Sequence, residues 1–154
     1  MKRIVTASVI ALVAASGVAT AQDAPFAREI KARQGIMVYR ALQLGVLGAM
    51  AKGEMEYDAE KAQKAADALM ASVQLDASML WPAGSDNSAN QASTALAAIW
   101  ADGSDIGAKA GAMAEAAAAM QAAAGTGVEG LQGAMGAVGG ACGGCHKAFR
   151  VPTN

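Results

Sequence analysis

The sequence predicts an all-α protein and, within that class, an antiparallel four-helix bundle. Its 154 residues include 41 alanines, whereas only 4% of the residues are aromatic. Alanine is the best helix former, and strands favour β-branched and aromatic residues, which argues against a sandwich, a barrel or a doubly wound sheet. Four long stretches carry apolar residues at helical spacing, and all but one of the connections between them are short, as in a bundle.

The N-terminal segment, residues 1–21, is predicted to be a signal peptide. Residues 1–3 supply a positive charge, residues 4–18 are uncharged and mainly apolar, and residues 19–21 have the small-x-small pattern of a cleavage site. A membrane anchor is the alternative, but the apolar run would span about 22 Å of a hydrocarbon core that is ~30 Å thick. We therefore expect a periplasmic protein with one domain, residues 22–154, and no membrane anchor after cleavage.

The first two helices are predicted on either side of a short Lys-Gly-Glu turn. The first covers residues 24–51, with apolar residues three and four positions apart. The second begins after Asp58, which is a good N-cap residue, and continues toward Met79. A polar loop over residues 82–90 follows, and then a short apolar segment, residues 94–100, that is long enough for one or two helical turns.

The third helix is predicted to begin near Ser104 or Asp105 and to end at Gly125, a natural residue after a helix C-cap. Its centre is almost pure alanine, so low-complexity disorder is an alternative. Met113 and Met120 lie seven residues apart on one face, however, and alanine lets helices approach closely, so a packed helix is favoured.

The fourth helix is predicted to begin near Val128 and to pack by one apolar seam. Successive members of the seam are three or four residues apart, as in a heptad pattern. They are Leu131, Met135, Val138, Cys142, Cys145 and Phe149.

This helix contains a C-x-x-C-H motif, formed by Cys142, Cys145 and His146, which are the only cysteines and the only histidine of the chain. Two thiols three residues apart project from one helix face, so they can form thioethers with the two vinyl groups on one edge of a porphyrin. His146 can then bind the iron as the proximal axial ligand. The motif therefore predicts one covalently attached haem c, and the export signal agrees because this attachment occurs outside the cytoplasm.

Three other interpretations of the motif explain less. A disulfide between Cys142 and Cys145 would leave His146 without a role. A zinc site needs four ligands, and the fourth would be a carboxylate that no spacing indicates. A thioredoxin-like redox pair lies at the start of a helix that follows a strand, and no strand is predicted here.

The motif also lies close to the C-terminus. Only eight residues follow His146, and none of them is a methionine or a histidine. Any ligand on the distal side of the iron must therefore come from upstream, on another helix of the bundle. This excludes the arrangement of small cytochromes with an N-terminal C-x-x-C-H motif and a C-terminal methionine ligand.

Several short segments form a specific combination, although each of them alone is common. They are Cys142 to Arg150, Arg33-Gln34-Gly35-Ile36-Met37, Ala51-Lys52-Gly53-Glu54 with Tyr57-Asp58, Pro82-Ala83-Gly84-Ser85, and Ile99-Trp100. Together they resemble cytochrome c′, the class II c-type cytochromes, over essentially the whole mature chain. The resemblance implies an up-and-down bundle with covalently attached haem c.

The resemblance also implies roles for individual residues of the fourth helix. Cys142 and Cys145 correspond to the thioether cysteines, and His146 corresponds to the proximal iron ligand. Arg150 follows one turn later, where the family has a basic residue beside the proximal face. The alternative for Arg150 is an ordinary charge that offsets the helix dipole.

On the first helix, the resemblance places Arg33 and Gln34 near the haem propionates. A charge-assisted contact from Arg33 to a carboxylate is physically sensible. From the residues alone, Arg33 would be interpreted as a solvated helix residue.

Met37 corresponds to the position that faces the distal side of the iron. In the high-spin branch of the family an apolar side chain blocks this side without binding, so the iron stays five-coordinate and admits only small gases such as NO and CO. In a low-spin branch a methionine binds here, which gives a six-coordinate electron carrier. The resemblance favours the five-coordinate form as the expectation, with Met37 as sixth ligand as the alternative. The other mature methionines are interpreted as core filling.

The first helix has more apolar residues than one core-facing stripe requires. The first helix is apolar around most of its circumference, which predicts a homodimer through the first two helices. The residues that show this pattern are Leu42, Val46, Leu47, Ala49, Met50 and Ala51.

With a net charge of −1 a nucleic-acid partner is not expected. No enzymatic function is predicted, because the one histidine serves the haem and no phosphate-binding loop is present. A redox partner protein is expected, but the sequence does not identify it.

Overall fold

The structure is a computed structural model, and it describes residues 24–152. The predicted signal peptide and its cleavage site lie outside these residues. Among the helices of the described part, none is both long enough and apolar enough to cross a membrane.

Four α-helices account for most of the described residues. They are α1 (Ala27–Ala51), α2 (Ala59–Val73), α3 (Ile106–Ala123) and α4 (Val128–Phe149). Two short 3₁₀ helices, Ser78–Leu80 and Ala97–Trp100, lie in the long connection between α2 and α3. The only β pairing within residues 24–152 is an isolated antiparallel bridge between Ala95 and Arg150. The all-α prediction is confirmed.

Hydrogen bonds between the ends of helices show that neighbouring helices are antiparallel. The Tyr57 hydroxyl, just before α2, donates to the carbonyl of Ala124 at the end of α3, over 2.8 Å. The Gln132 amide near the start of α4 donates to the carbonyl of Ala51 at the end of α1, over 2.7 Å. Each helix packs on two others, α1 and α3 both lying between α2 and α4. The predicted antiparallel four-helix bundle is confirmed.

The beginning of α1 differs from the prediction by three residues. The helix begins at Ala27 because Phe26 has a left-handed φ of 60°, which a helical residue does not adopt. The beginning of α2 agrees with the prediction, since the Asp58 carboxylate accepts the backbone N–H of Lys61 over 3.0 Å. This is the hydrogen bond that a helix N-cap supplies.

The end of α2 lies earlier in the chain than the sequence pattern predicts. The helix ends at Val73 and does not reach Met79. Just beyond it, the Asp76 carboxylate accepts the backbone N–H of Ser78 over 3.0 Å, which holds the chain in a turn. Met79 itself is 85% exposed, so its interpretation as core filling is wrong.

The turn between α3 and α4 agrees with the prediction. Gly125 follows the C-cap residue Ala124, and α4 begins at Val128. A Cβ at position 125 would lie 2.7 Å from Oε1 of Gln63, so a larger residue there would displace the end of this side chain. Gly127, with a φ of 136°, supplies the backbone conformation that reverses the chain.

The main core is formed by all four helices and contains few large side chains. Its fully buried members include Leu47, Met50, Leu69, Met120, Leu131 and Val138, together with Ala62, Ala66, Ala117 and Ala124. Alanine at these positions lets the helices approach closely. The alanine-rich stretch is therefore a packed helix, as predicted, and the predicted seam of α4 faces inward.

A second, smaller cluster joins the α2–α3 connection to the end of α4. Ala95, Ile99 and Phe149 are its buried members, and Trp81, Trp100, Ile106 and Cys145 pack against them. The bridge beside this cluster is held by hydrogen bonds from Leu96 to Phe149 and from Val151 to Thr94. The long connection is thereby fixed against the helix that carries the C-x-x-C-H motif.

Candidate haem site

The three residues of the motif lie in the last two turns of α4. Cys142, Cys145 and His146 are all half-buried, and the two cysteines are free thiols that are not joined to each other. Burial raises the pKa of both thiols. Cys142 contacts Met113 of α3, with 3.8 Å between the sulfur atoms, whereas Cys145 packs in the second cluster.

The His146 imidazole lies next to Arg150. The pKa of His146 is lowered, first because burial disfavours the charged ring and second because of the positive charge of Arg150. Arg150 caps α4, and its backbone N–H donates to the His146 carbonyl over 3.0 Å. Both effects favour the neutral imidazole, which is the form that has a lone pair for a metal ion.

Arg33 is buried, with 4% of its surface exposed, so its interpretation as a solvated residue is wrong. Its Nη1 donates to the Ser85 hydroxyl over 2.7 Å and to the Leu80 carbonyl over 3.2 Å. Its Nη2 donates to the Ser85 carbonyl over 2.5 Å and to the Ser93 hydroxyl over 2.7 Å. The guanidinium also lies 4.5 Å from the centre of the Trp81 ring, within range of a cation–π interaction.

Gln34 contacts the same connection as Arg33. Its side-chain amide donates to the Ala92 carbonyl over 2.7 Å. The structure therefore brings both residues to the α2–α3 connection, where their partners are hydroxyl and carbonyl oxygens. None of the ion pairs found within residues 24–152 involves Arg33. Burial lowers the pKa of Arg33, but a guanidinium remains charged in proteins.

Met37 lies on α1 between two arginines, four residues after Arg33 and three before Arg40. Its side chain is 37% exposed and belongs to neither hydrophobic cluster. The other methionines of α1 to α4 differ from it, because each of them is buried in or packed against the main core. They are Met50, Met70, Met113, Met120 and Met135.

Arg40 was missed by the sequence analysis. Its Nε donates to the Ser72 hydroxyl over 3.1 Å, and its Nη2 donates to the Ser72 carbonyl over 2.7 Å. Its positive charge partly offsets the effect of burial on the thiol pKa of Cys142. Its position seven residues after Arg33 places both arginines on one face of α1, and this spacing is the sequence pattern that could have drawn attention to Arg40.

The residues of this site fit a haem c. Two half-buried thiols and an imidazole with a lowered pKa are the groups that a haem c needs for its attachment and for an iron ligand. Arg33 is buried and Arg40 is half-buried, the described residues offer neither of them a carboxylate within 4.0 Å, and haem brings two carboxylates of its own. A zinc site fits less well, because within residues 24–152 no three His, Cys, Asp or Glu side chains are grouped to hold a metal ion.

A four-helix bundle whose last helix ends in a C-x-x-C-H motif belongs to the c-type cytochromes of the bundle class. A sequence model described as Cytochrome C′ matches residues 28–150. This match covers most of the chain, and the protein therefore belongs to the cytochrome c′ family. Its cofactor is covalently bound haem c.

Individual relatives support the same assignment. The chain is 49% identical to cytochrome c-554 of Cereibacter sphaeroides over 109 residues, which are 70% of this chain and 71% of the relative. It is 41% identical to cytochrome c′ of the same species over 151 residues, which are 98% of this chain and 99% of the relative.

Solved structures agree with these relatives. A cytochrome c′ from Rhodobacter sphaeroides superposes with a TM-score of 0.80 and 41% identity, covering 83% of this chain and 98% of that one. The cytochrome c′ of Thermochromatium tepidum superposes with a TM-score of 0.73 and 28% identity, covering 81% of this chain and 95% of that one.

Proposed function

We propose that this chain is a periplasmic electron carrier and not an enzyme. Cys142 and Cys145 would hold the haem by two thioethers, and His146 would be a ligand of its iron. The haem supplies one-electron chemistry at the iron. The observation that carries this proposal is that two thiols and an imidazole, all half-buried, lie together in the last two turns of α4.

The side chains around the motif orient these groups. Arg150 lies beside His146 and helps to keep the imidazole neutral, so that the ring nitrogen is available to the iron. Arg33 and Gln34 hold the α2–α3 connection in place, and Trp81 and Trp100 of this connection pack against the same buried cluster as Cys145.

Two forms of this function differ in the role of Met37. In the form expected from the resemblance, Met37 only blocks the distal side, and the protein also binds NO or CO. In the other form, the Met37 sulfur is the sixth ligand of a low-spin carrier. We propose the form in which Met37 is the sixth ligand. The Met37 side chain packs in neither apolar cluster, and a flexible thioether can change its conformation to reach the iron.

The five-coordinate form remains the second candidate, supported by one observation. The cytochrome c′ relative matches this chain over nearly its full length, so the likeness to that relative extends to the helix that carries Met37. Gas binding requires an open coordination position, whereas a bound thioether closes it. The two candidates therefore make opposite predictions for carbon monoxide.

Optical spectra of the purified protein and of Met37→Leu test both forms. We expect sharp low-spin α and β bands in the reduced wild type, and a broad high-spin spectrum with CO binding in Met37→Leu. Met79→Leu is the matched control, because Met79 is exposed on the connection, and its spectrum should not change. A wild type with a high-spin spectrum and CO binding would establish the five-coordinate form. Pigment released by acid-acetone would refute covalent attachment altogether.

We also propose that two copies associate through α1 and α2. Val38 and Leu42 of α1, and Leu75 just after the end of α2, are large apolar side chains that remain exposed. A groove of about 450 Å³ between the two helices is lined by apolar and small residues, among them Ile36 and Tyr39. A second copy of the same surface would cover both features.

The surface differs in part from the one expected from the sequence, since Leu47 and Met50 are buried in the core of the chain itself. Leu42→Glu should convert a dimer to a monomer in sedimentation, whereas Met79→Glu should not. A wild type that sediments as a monomer at high micromolar concentration would refute the dimer.

A further inference from the structure

The terminal nitrogens of Arg33 donate all of their hydrogens to the α2–α3 connection. Each of the two nitrogens has two hydrogens, held in one plane with the rest of the guanidinium. Their four acceptors are the Leu80 carbonyl, the Ser85 hydroxyl, the Ser85 carbonyl and the Ser93 hydroxyl, over 2.5–3.2 Å. A two-bond contact with a carboxylate uses at least one of these hydrogens. Arg33 therefore cannot hold a haem carboxylate by such a contact without releasing part of the connection.

Ser93 extends this contact toward α4. Its hydroxyl accepts a hydrogen bond from Arg33, donates to the Ser85 carbonyl over 2.9 Å and accepts the backbone N–H of Ala95 over 3.2 Å. Ser93 is buried, so a partner that is lost here is not replaced freely by water. Ala95 forms the isolated bridge with Arg150. One side chain, that of Ser93, thus joins Arg33 to this bridge.

The bridge fixes the end of the helix that carries the C-x-x-C-H motif. On one side of it the Leu96 N–H donates to the Phe149 carbonyl over 2.9 Å, and on the other the Val151 N–H donates to the Thr94 carbonyl over 2.8 Å. Phe149 is the last residue of α4 and lies three residues after His146, within the same helical turn. A shift of the connection would therefore displace the last turn of α4.

We propose that Arg33 is a positioning residue for the haem site. By holding Ser93 and the bridge beyond it, Arg33 fixes the last turn of α4 and with it Cys145 and His146. This action depends on the geometry of the guanidinium as well as on its charge, because a lysine ammonium does not direct four hydrogens in one plane. The role is indirect, whereas the resemblance implies a direct contact with the propionates. It does not depend on whether Met37 binds the iron.

Hydrogen exchange of the haem-loaded protein measures whether Arg33 holds the bridge. In Arg33→Gln the exchange rates of the Leu96 and Val151 amides should rise at least about tenfold, since the connection loses its bonds to a charged group. Arg33→Lys should raise both rates to a similar extent. Leu131→Ala is the control for a general loss of stability, and it should leave the two rates unchanged because it does not open the bridge locally.

The reduction potential separates positioning through the connection from a direct carboxylate contact. Arg33→Lys and Ser93→Ala both keep a positive charge at position 33, yet both should shift the potential in the same direction as Arg33→Gln. A direct contact predicts that Ser93→Ala has no effect and that Arg33→Lys resembles the wild type. It also predicts that Arg33→Gln raises the pKa of the freed haem carboxyl and makes the potential newly dependent on pH. Arg28→Gln, at an exposed position of α1, should leave the potential unchanged.

Ser93→Ala keeps the test decisive if Arg33→Gln does not fold. It removes only the hydroxyl that links Arg33 to Ala95, and it should raise the same two exchange rates. Unchanged exchange at Leu96 and Val151 in these variants would overturn the proposal, and so would wild-type exchange and potential in Arg33→Lys. Exchange is measured at backbone amides and does not require electron transfer. A protein that accepts no electrons would therefore overturn the proposed electron-carrier function but not this positioning role.

Discussion

The two ends of the bundle are built from different kinds of residue. At the closed end, short turns join α1 to α2 and α3 to α4, and the core consists of apolar side chains such as Met50, Met120 and Leu131. At the connection end, residues 74–105 join α2 to α3, and α4 finishes with the C-x-x-C-H motif. The buried polar residues of the described part all lie at this second end. They are Arg33, Ser72, Ser85, Asp86, Asn90 and Ser93.

The difference follows from what each end has to do. Apolar packing is non-directional, so the closed end stabilises the bundle without specifying the position of any polar atom. A charged cofactor requires cations and hydrogen-bond donors at defined positions, and such groups can be buried only where their partners are also supplied. The connection end is therefore held together by a network of hydrogen bonds in addition to apolar packing.

The largest effect on stability is expected at the closed end. Leu131→Ala removes a fully buried side chain from the main core and should lower the free energy of unfolding by about 3 kcal/mol, through lost burial and the cavity left behind. Denaturant unfolding measures this loss. Because Leu131 is eleven residues before Cys142 on α4, the haem spectrum of the folded variant should not change. A changed spectrum would show that the two ends are not independent.

At the connection end we expect a smaller loss of stability together with a change in the properties of the haem site. Arg33→Ala removes the donors to Ser85 and Ser93 and should lower the free energy of unfolding by about 2 kcal/mol, since their buried oxygens lose a charged partner. Unlike Leu131→Ala, it should also alter the haem spectrum or potential. Arg28→Ala is the control on an exposed face of α1 and should change the stability by less than about 0.5 kcal/mol. An Arg33 variant with wild-type optical and redox properties would contradict this comparison.

Tyr57 tests whether polar contacts matter at the closed end as well. Its hydroxyl donates to the Ala124 carbonyl and accepts the Gly127 N–H over 2.9 Å, which joins the start of α2 to the α3–α4 turn. Tyr57→Phe should lower the free energy of unfolding by about 1 kcal/mol in denaturant unfolding. Tyr39→Phe, at an exposed tyrosine of α1, should have no measurable effect. Equal effects of the two substitutions would show that the Tyr57 contact is not stabilising.

The same contrast explains which features the sequence predicts. The start of α2 at Asp58 and the inward face of Leu131 and Val138 follow from local patterns, because capping and helical periodicity involve residues a few positions apart. The burial of Arg33 does not follow from such patterns. Its serine partners are 52 and 60 residues away along the chain, in an irregular connection without periodicity. The motif itself is predictable, since its chemistry depends on adjacent residues.

The smallest expected effect is on the stability of the fold at low pH, and it again distinguishes the two ends of the bundle. Asp86, a buried residue of the connection, accepts hydrogen bonds from the hydroxyl of Ser88 and from its backbone N–H, the latter over 2.8 Å. These bonds hold the pKa of Asp86 below its usual value. A carboxyl with a lowered pKa in the folded state stabilises the fold above its unfolded pKa, about 3.9, and this contribution is lost as the pH falls through the folded pKa.

Asp86→Asn removes this acid-sensitive contribution. Its free energy of unfolding should therefore fall less steeply than that of the wild type when the pH is lowered from about 6 to about 3. Urea unfolding at several pH values measures the two curves, and Asp102→Asn, at an exposed carboxylate of the same connection, should follow the wild type. Parallel curves for wild type and Asp86→Asn would contradict the prediction. A difference confined to Asp86 would show that the buried polar residues of the connection end, and not its exposed charges, make that end sensitive to acid.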